Sequence, residues 1–334
     1  MYEGLLSRRR LCVGLAAGLA TTALALPGRA RAQVAAAPDA GAWRDLDWVD
    51  GTRQRPVPVR LYLPTRGATG ARPAALVVFS HGIGGSRRGY SYLGRHFAAN
   101  GVASLHLQHV GSDRSLWGGS VFGLAGRLVD AAQDAEAVAR VQDFSYALDT
   151  LLASELAPRV DARRIVAAGH SYGANTTLLA AGAQVSREGR VVALRDERVR
   201  AAIVISAPPF YGDGDPQAIL AAVTVSSLHV TATEDVIRIP GYYSGAEDRL
   251  AVFEATGSAR KWLAVFQGGS HSIFTDRRGS GGPLLNGQVK DATKQLSLAF
   301  VRTVFGGDDG DLRVWPQQHA DILAQFRAPK GVKA

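Results

Sequence analysis

Short, wholly apolar runs recur along this chain and alternate with longer stretches whose apolar residues return at helical spacing. Ala75–Phe79 (ALVVF) reads as a strand covered on both faces, because a strand with one wet face would alternate apolar and polar residues. Val102–Leu107, Ile165–Ala168, Ala201–Ile205, Leu228–Thr231 and Leu263–Phe266 read as further strands of the same sheet. Val57–Leu63 (VPVRLYL) does alternate, and predicts an antiparallel edge strand. Between the strands, Tyr90–Asn100 is helical in pattern and Gly101 supplies its stop. Arg140–Leu156 puts Val141, Phe144, Ala147, Leu148, Leu151 and Leu152 on one helical stripe, and Val289–Val304 predicts a last helix. Strands that alternate with helices in this way imply an α/β fold, with a mostly parallel sheet and helices on both faces.

No linker divides the pattern, so one domain is expected over residues 42–334. One stretch breaks the alternation. Residues 110–139 are long and mixed, with Trp117, Phe122 and several glycines, and a connection of that length predicts a lid or pocket wall.

The N-terminus is set apart by its composition. Ser7-Arg8-Arg9-Arg10 leads into the apolar run Leu11–Leu26, which is short for a bilayer span, and Ala30-Arg31-Ala32 follows. A basic start, an apolar middle and an A-x-A end predict a cleavable export signal over residues 1–32. The paired arginines point to the twin-arginine route, hence to a periplasmic or secreted protein. Residues 33–41, small and Ala-rich, read as a mobile leader. The one cysteine, Cys12, lies inside the signal, so the remainder can form no disulfide and use no thiolate. Five arginines and one glutamate of the formal +9 belong to the signal too, and the rest carries a net +5. Its basic residues are single or paired (Arg87-Arg88, Arg163-Arg164, Arg277-Arg278), which gives no nucleic-acid footprint and reads as solvated surface. No metal-binding H-E-x-x-H motif and no phosphate-binding P-loop is present. Asn175-Thr176-Thr177 matches a glycosylation sequon but falls in a helical stretch, and the acidic Gly306–Asp311 run reads as a turn.

The chemistry concentrates at Gly169-His170-Ser171-Tyr172-Gly173. This G-x-S-x-G directly follows one strand and opens the helical run Ala174–Ala181. A nucleophilic serine must project from a tight strand-to-helix turn, and the residues two before and two after it must be small so that strand and helix can pack. A serine needs a base, and the base an orienting acid, in the chain order Ser, acid, His. Asp235 ends a later strand and is the expected acid, with Glu234 next to it as runner-up and Asp213 and Asp215 as a weaker position. His271, in the loop Gly268-Gly269-Ser270-His271-Ser272 after the last strand, is the expected base. His81 and His170 fit loop packing better; His96, His106, His109 and His229 precede the acid, and His319 comes too late.

Two backbone N–H groups must face the carbonyl oxygen as it gains charge. Tyr172, after the nucleophile, is one expected donor, and Ile83 in Ser80-His81-Gly82-Ile83-Gly84-Gly85-Ser86 is the other. The same glycines do not make a dinucleotide fingerprint, since Arg87 stands where the third small residue is required.

Together these residues resemble the α/β-hydrolase superfamily over nearly the whole chain beyond the signal. FSHGIGGSRRGYSYLGRHFAANGV, LHLQHVGSD at 105–113 and GGSHSIF at 268–274 look like platelet-activating-factor acetylhydrolase-like and predicted dienelactone-hydrolase-like bacterial serine esterases. The resemblance implies an eight-stranded sheet, a Ser171–Asp235–His271 triad, Ile83 and Tyr172 as oxyanion donors, and no cofactor. True dienelactone hydrolases use a cysteine where this chain has Ser171, so that likeness says little about substrate. The GGSHS loop also resembles that of secreted polyesterases, which lack the His81-Gly82 type of oxyanion loop.

The expected partner is thus a small ester substrate, with the same triad on an amide, thioester, lipid or polyester as the alternative and a non-catalytic binding module on this fold as the remote one, and with neither a metal nor a nucleic acid. Trp117, Phe122, Phe210, Tyr211, Tyr242 and Tyr243 lie on loops near the carboxyl ends of strands and are the expected pocket residues.

Overall fold

The computed structural model describes residues 43–65, 72–210, 215–239, 242–277, 280 and 282–329. In chain order, β1 (Trp43–Asp50), β2 (Arg55–Tyr62) and β3 (Ala74–Ser80) lead into α1 (Ser91–Ala99) and β4 (Ala103–Leu107). Then come α2 (Leu124–Ala131), α3 (Asp134–Ala153), β5 (Val160–His170) and α4 (Tyr172–Ala180). A small hairpin, β6 (Gln184–Arg187) and β7 (Arg190–Ala193), precedes β8 (Val199–Ile205), α5 (Pro216–Leu220) and β9 (Ser226–Glu234). A second hairpin, β10 (Ile237–Ile239) and β11 (Tyr242–Ser244), is followed by α6 (Ala246–Ala255), β12 (Lys261–Ser270), α7 (Pro283–Gly306), α8 (Gly310–Gln318) and β13 (Leu323–Arg327).

One sheet has nine strands in the order β1-β2-β4-β3-β5-β8-β9-β12-β13. The central six, β4 to β12, run parallel, while β1, β2 and β13 pair antiparallel at the margins. This corrects the expected eight strands, since β13 adds a ninth beyond β12. It also corrects the edge position given to Val57–Leu63, because β1 covers the outer side of β2 over eight paired positions.

The period-2 geometry of a strand explains the two-sided core. On β3, Leu76 and Val78 join the core on one face and Val77 and Phe79 join the core on the other. Phe144, Leu148 and Leu151 of α3 and Leu178 of α4 close the first face. Leu93 and Phe97 of α1, Leu296 and Phe300 of α7 and Trp315 of α8 close the second. Burying each such side chain stabilises the fold by about 1.5–3 kcal/mol. Strands walled in on both sides fix where their carboxyl ends emerge, and the ends of β3, β5, β9 and β12 carry the residues of interest.

Residues 110–139 hold 3₁₀ turns at Arg114–Trp117 and Val121–Gly123, then α2, then the start of α3. Only the first part is a connection; from Asp134 onward the chain is already in the helix that covers the sheet.

Candidate active site

Ser171 is the hinge between β5 and α4. Its φ of 57° is one that non-glycine residues rarely adopt, and its ψ of −125° departs from ordinary left-handed backbone. The turn is possible because its flanks lack side chains. A Cβ on Gly169 would lie 2.1 Å from the Gly173 carbonyl oxygen, and one on Gly173 would lie 1.9 Å from that of Ser80. The Ser171 N–H donates to Ile205 O at 2.9 Å, which ties the turn to the end of β8.

Three side chains meet here from three strand ends. Ser171 Oγ is 2.8 Å from His271 Nε2, and His271 Nδ1 is 2.7 Å from Asp235 Oδ1. A carboxylate only accepts, so Nδ1 carries the imidazole proton and Nε2 is left to accept from the serine hydroxyl. Asp235 is fully buried. Thr231 Oγ1 donates to its Oδ2 at 2.7 Å, and Arg249 Nη2 stands 3.4 Å from Oδ1. Burial alone would raise the Asp235 pKa. The hydrogen bond and charge of His271, reinforced by the Arg249 guanidinium, outweigh it and hold the carboxyl well below its usual range.

His170, inside the G-x-S-x-G motif, braces the base. Its Nε2 lies 2.9 Å from His271 O, a pure acceptor, so Nε2 carries the proton and Nδ1 accepts from the Tyr90 hydroxyl at 2.8 Å. Its ring lies against that of His271, with the centroids 4.8 Å apart and the planes tilted by 37°. Burial, with the charge of His271, lowers the His170 pKa to about 3, so this ring stays neutral.

The loop after β3 passes beside the serine: a Cβ on Gly82 would sit 3.2 Å from Ser171 Cβ. His109 N–H donates to His81 Nε2 at 3.1 Å, which leaves His81 Nδ1 to donate to Gly82 O at 2.7 Å. C=O and N–H of a trans peptide point in opposite directions. Fixing the Gly82 carbonyl therefore aims the Ile83 N–H in the opposite direction within the same peptide plane. Gly84 N donates to Ser112 O at 2.8 Å, so the 110–139 segment buttresses this loop.

The expected pocket residues part ways. Trp117 lies on the loop, its Nε1 donating to Gly84 O at 2.8 Å. Phe210 lines an apolar cavity of about 70 Å³ together with Tyr172, Leu179, Val185 and Pro208. Phe122 is 95% exposed and Tyr243 57%, with the Arg238 guanidinium 5.7 Å over the Tyr243 ring, so both sit on outward-facing segments rather than in the wall of a pocket. Tyr242 is half-buried on β11. Tyr211 lies outside the described residues, as do Asp213, residues 1–32 with Cys12, and the 33–41 leader. Asp215 caps α5 through Gln217 N, and Glu234 is exposed, so the acid position beside His271 is filled by Asp235. Arg87 donates to Asp47, Leu46 O and Val59 O, which engages it with the sheet margin.

Pattern reading passed over Arg140, Asp143 and His109, all fully buried. A signal existed. Glu136, Arg140 and Asp143 precede Phe144, Ala147 and Leu151 on one helical stripe, and charges on a core stripe are rarely idle. Among the described residues no cluster of His, Cys, Asp or Glu could hold a metal ion, and no helix is long and apolar enough to cross a membrane.

Residues 77–332 match the alpha/beta hydrolase family. No curated protein sequence matches the chain. A solved structure it resembles is the ferulic acid esterase from Streptomyces cinnamoneus, at 22% identity and a TM-score of 0.60 over 87% of this chain and 98% of that one. At that identity the likeness speaks for the fold. With the family match spanning most of its length, the chain belongs to the alpha/beta hydrolase family.

Proposed function

We propose that this protein is a serine esterase that cleaves carboxylic esters with short acyl groups through an acyl-enzyme. The observation that carries the reading is the unbroken hydrogen-bond path from a strained Ser171 through His271 to a buried, ionised Asp235. His271 takes the Ser171 proton as Oγ attacks the ester carbonyl, and Asp235 holds the ring in the tautomer this needs. The Ile83 and Tyr172 amides receive the oxyanion. Collapse breaks the ester C–O bond, and His271 gives its proton to the departing alcohol. Water, deprotonated by His271, then releases the acid and restores Ser171.

The short-acyl preference rests on the cavity beside Tyr172. A hollow of about 150 Å³ holds benzene, and this one measures about 70 Å³ with an almost wholly apolar lining. Residues 1–32 are proposed as a twin-arginine export signal; N-terminal sequencing of the exported protein should begin after Ala32. The function is tested with p-nitrophenyl esters from C2 to C12, alongside anilide and thioester analogues, for the wild type and Ser171→Ala. Hydrolysis of the short esters that the variant loses supports the reading. A wild type silent on every ester overturns it.

A further inference from the structure

Arg140 is fully buried in α3, and the three acceptors of its guanidinium include no carboxylate. Nε donates to Thr176 Oγ1 at 2.9 Å, Nη1 to Ser112 Oγ at 2.7 Å and Nη2 to His81 O. The guanidinium also lies 4.5 Å over the Tyr172 ring. Burial lowers its pKa to about 10, which leaves it charged at neutral pH. A buried charge whose direct acceptors are all neutral is costly even with the Glu136 and Asp143 carboxylates near enough to favour it, and an apolar side chain of the same volume often serves stability as well or better. The location of its partners accounts for its presence. His81 O belongs to the loop that carries Ile83. Thr176 and Tyr172 belong to the first turns of α4, directly after Ser171. One planar group with donors in fixed directions therefore spans both segments that supply the oxyanion amides.

We propose that Arg140 is a positioning residue for the oxyanion hole, holding the Ile83 and Tyr172 amides at the separation at which both reach one oxygen. The inference rests on the assignment of those amides under the proposed function. Stabilisation by fixed donors appears only when charge develops on the oxygen, so loosening the brace should lower kcat and spare KM.

The test compares Arg140→Met, Arg140→Lys and Thr176→Val with wild type in p-nitrophenyl acetate hydrolysis, each checked for folding by circular dichroism. A second readout is affinity for an alkyl trifluoromethyl ketone, which Ser171 converts to a hemiketal oxyanion. Arg140→Met is expected to lose on the order of 10²-fold in kcat, with KM within about threefold. Ketone affinity should fall in step with kcat/KM. Arg140→Lys should recover part of the loss. A merely structural arginine would lower stability but leave kcat per folded molecule and ketone affinity within twofold, and that result overturns the proposal. If Arg140→Met does not fold, Thr176→Val decides: a several-fold parallel loss in kcat and ketone affinity supports the brace, and unchanged values overturn it. Wild type active with Arg140→Met equally active sinks only this inference. Wild type silent on every ester and unlabelled by a fluorophosphonate sinks the function and the oxyanion assignment together.

Discussion

Among the described residues two Ser–His–Asp relays are present, and their settings differ. In the first, Ser171 Oγ, His271 and Asp235 are joined at 2.8 and 2.7 Å. In the second, Ser80 Oγ lies 3.1 Å from His109 Nε2, and His109 Nδ1 lies 3.0 Å from Asp143 Oδ2. As three residues in a row they are nearly the same object. Their surroundings differ. Ser80 ends the extended strand β3 and all three members of its relay are buried, whereas Ser171 stands on a strained turn and His271 is partly exposed. Asp143 is also clamped by Arg53 and Arg55, which in turn engages Glu136. The first relay ends in a serine on a strained turn beside a partly exposed histidine; the second ends in a strand wall at the start of the Ser80–Ser86 loop. Proton-transfer geometry alone does not make a nucleophile, because access and somewhere to place the oxyanion are needed as well.

The comparison can be broken most sharply at the serines. Ser171→Ala should cut kcat on the order of 10⁵-fold with little change in thermal unfolding, while Ser80→Ala should keep kcat within about threefold and lose about 1–2 kcal/mol of stability, since His109 Nε2 is left buried and unpaired. Denaturant melts and ester kinetics on the two variants decide it, and a large kcat loss in folded Ser80→Ala would contradict the contrast. Next in size come the acids. Asp235→Asn should lower kcat about 10⁴-fold by favouring the wrong His271 tautomer. Asp143→Asn should instead cost about 3–5 kcal/mol of stability, because Arg53 and Arg55 lose a buried counter-charge.

Acid should act on the fold through histidines outside both relays. Burial lowers His106 from 6.5 to about 4, so the unfolded chain binds that proton more readily than the folded one. Stability from His106 is thus full above pH 6.5, falls as pH drops below that value, and is down by about 3 kcal/mol near pH 4. His170, at about 3, acts in the same direction. Unfolding midpoints in urea across pH 4–8 check this, and a flat profile contradicts it. The smallest expected effect is at the margin: Phe122→Ser should leave chain-length preference unchanged, because that ring is in solvent, and Leu179→Ala should extend it by enlarging the cavity.

The six parallel strands were legible because coverage on both faces leaves unbroken apolar runs in the sequence. β1 (WRDLDWVD) and β13 (LAQFR) were not, since strands exposed at a sheet margin carry charge and lose that signal. Missing β1 is what made β2 look like an edge. Ser171, Asp235 and His271 could be placed because each sits at a strand end marked by its own short motif. Arg140 could not: its hydrogen-bond partners lie 28 to 59 residues away, and nothing local in α3 names them. Phe122 and Tyr243 were misplaced for a related reason, as an aromatic on a loop does not disclose which way it faces.

The central claim is that Ser171 alone among the serines is a nucleophile, activated by His271. Labelling with a fluorophosphonate, followed by mass spectrometry of the digested protein, tests it directly. The account predicts one adduct on Ser171 in the wild type and none in His271→Ala. An adduct on Ser80 or elsewhere, or no adduct in the folded wild type, would contradict it.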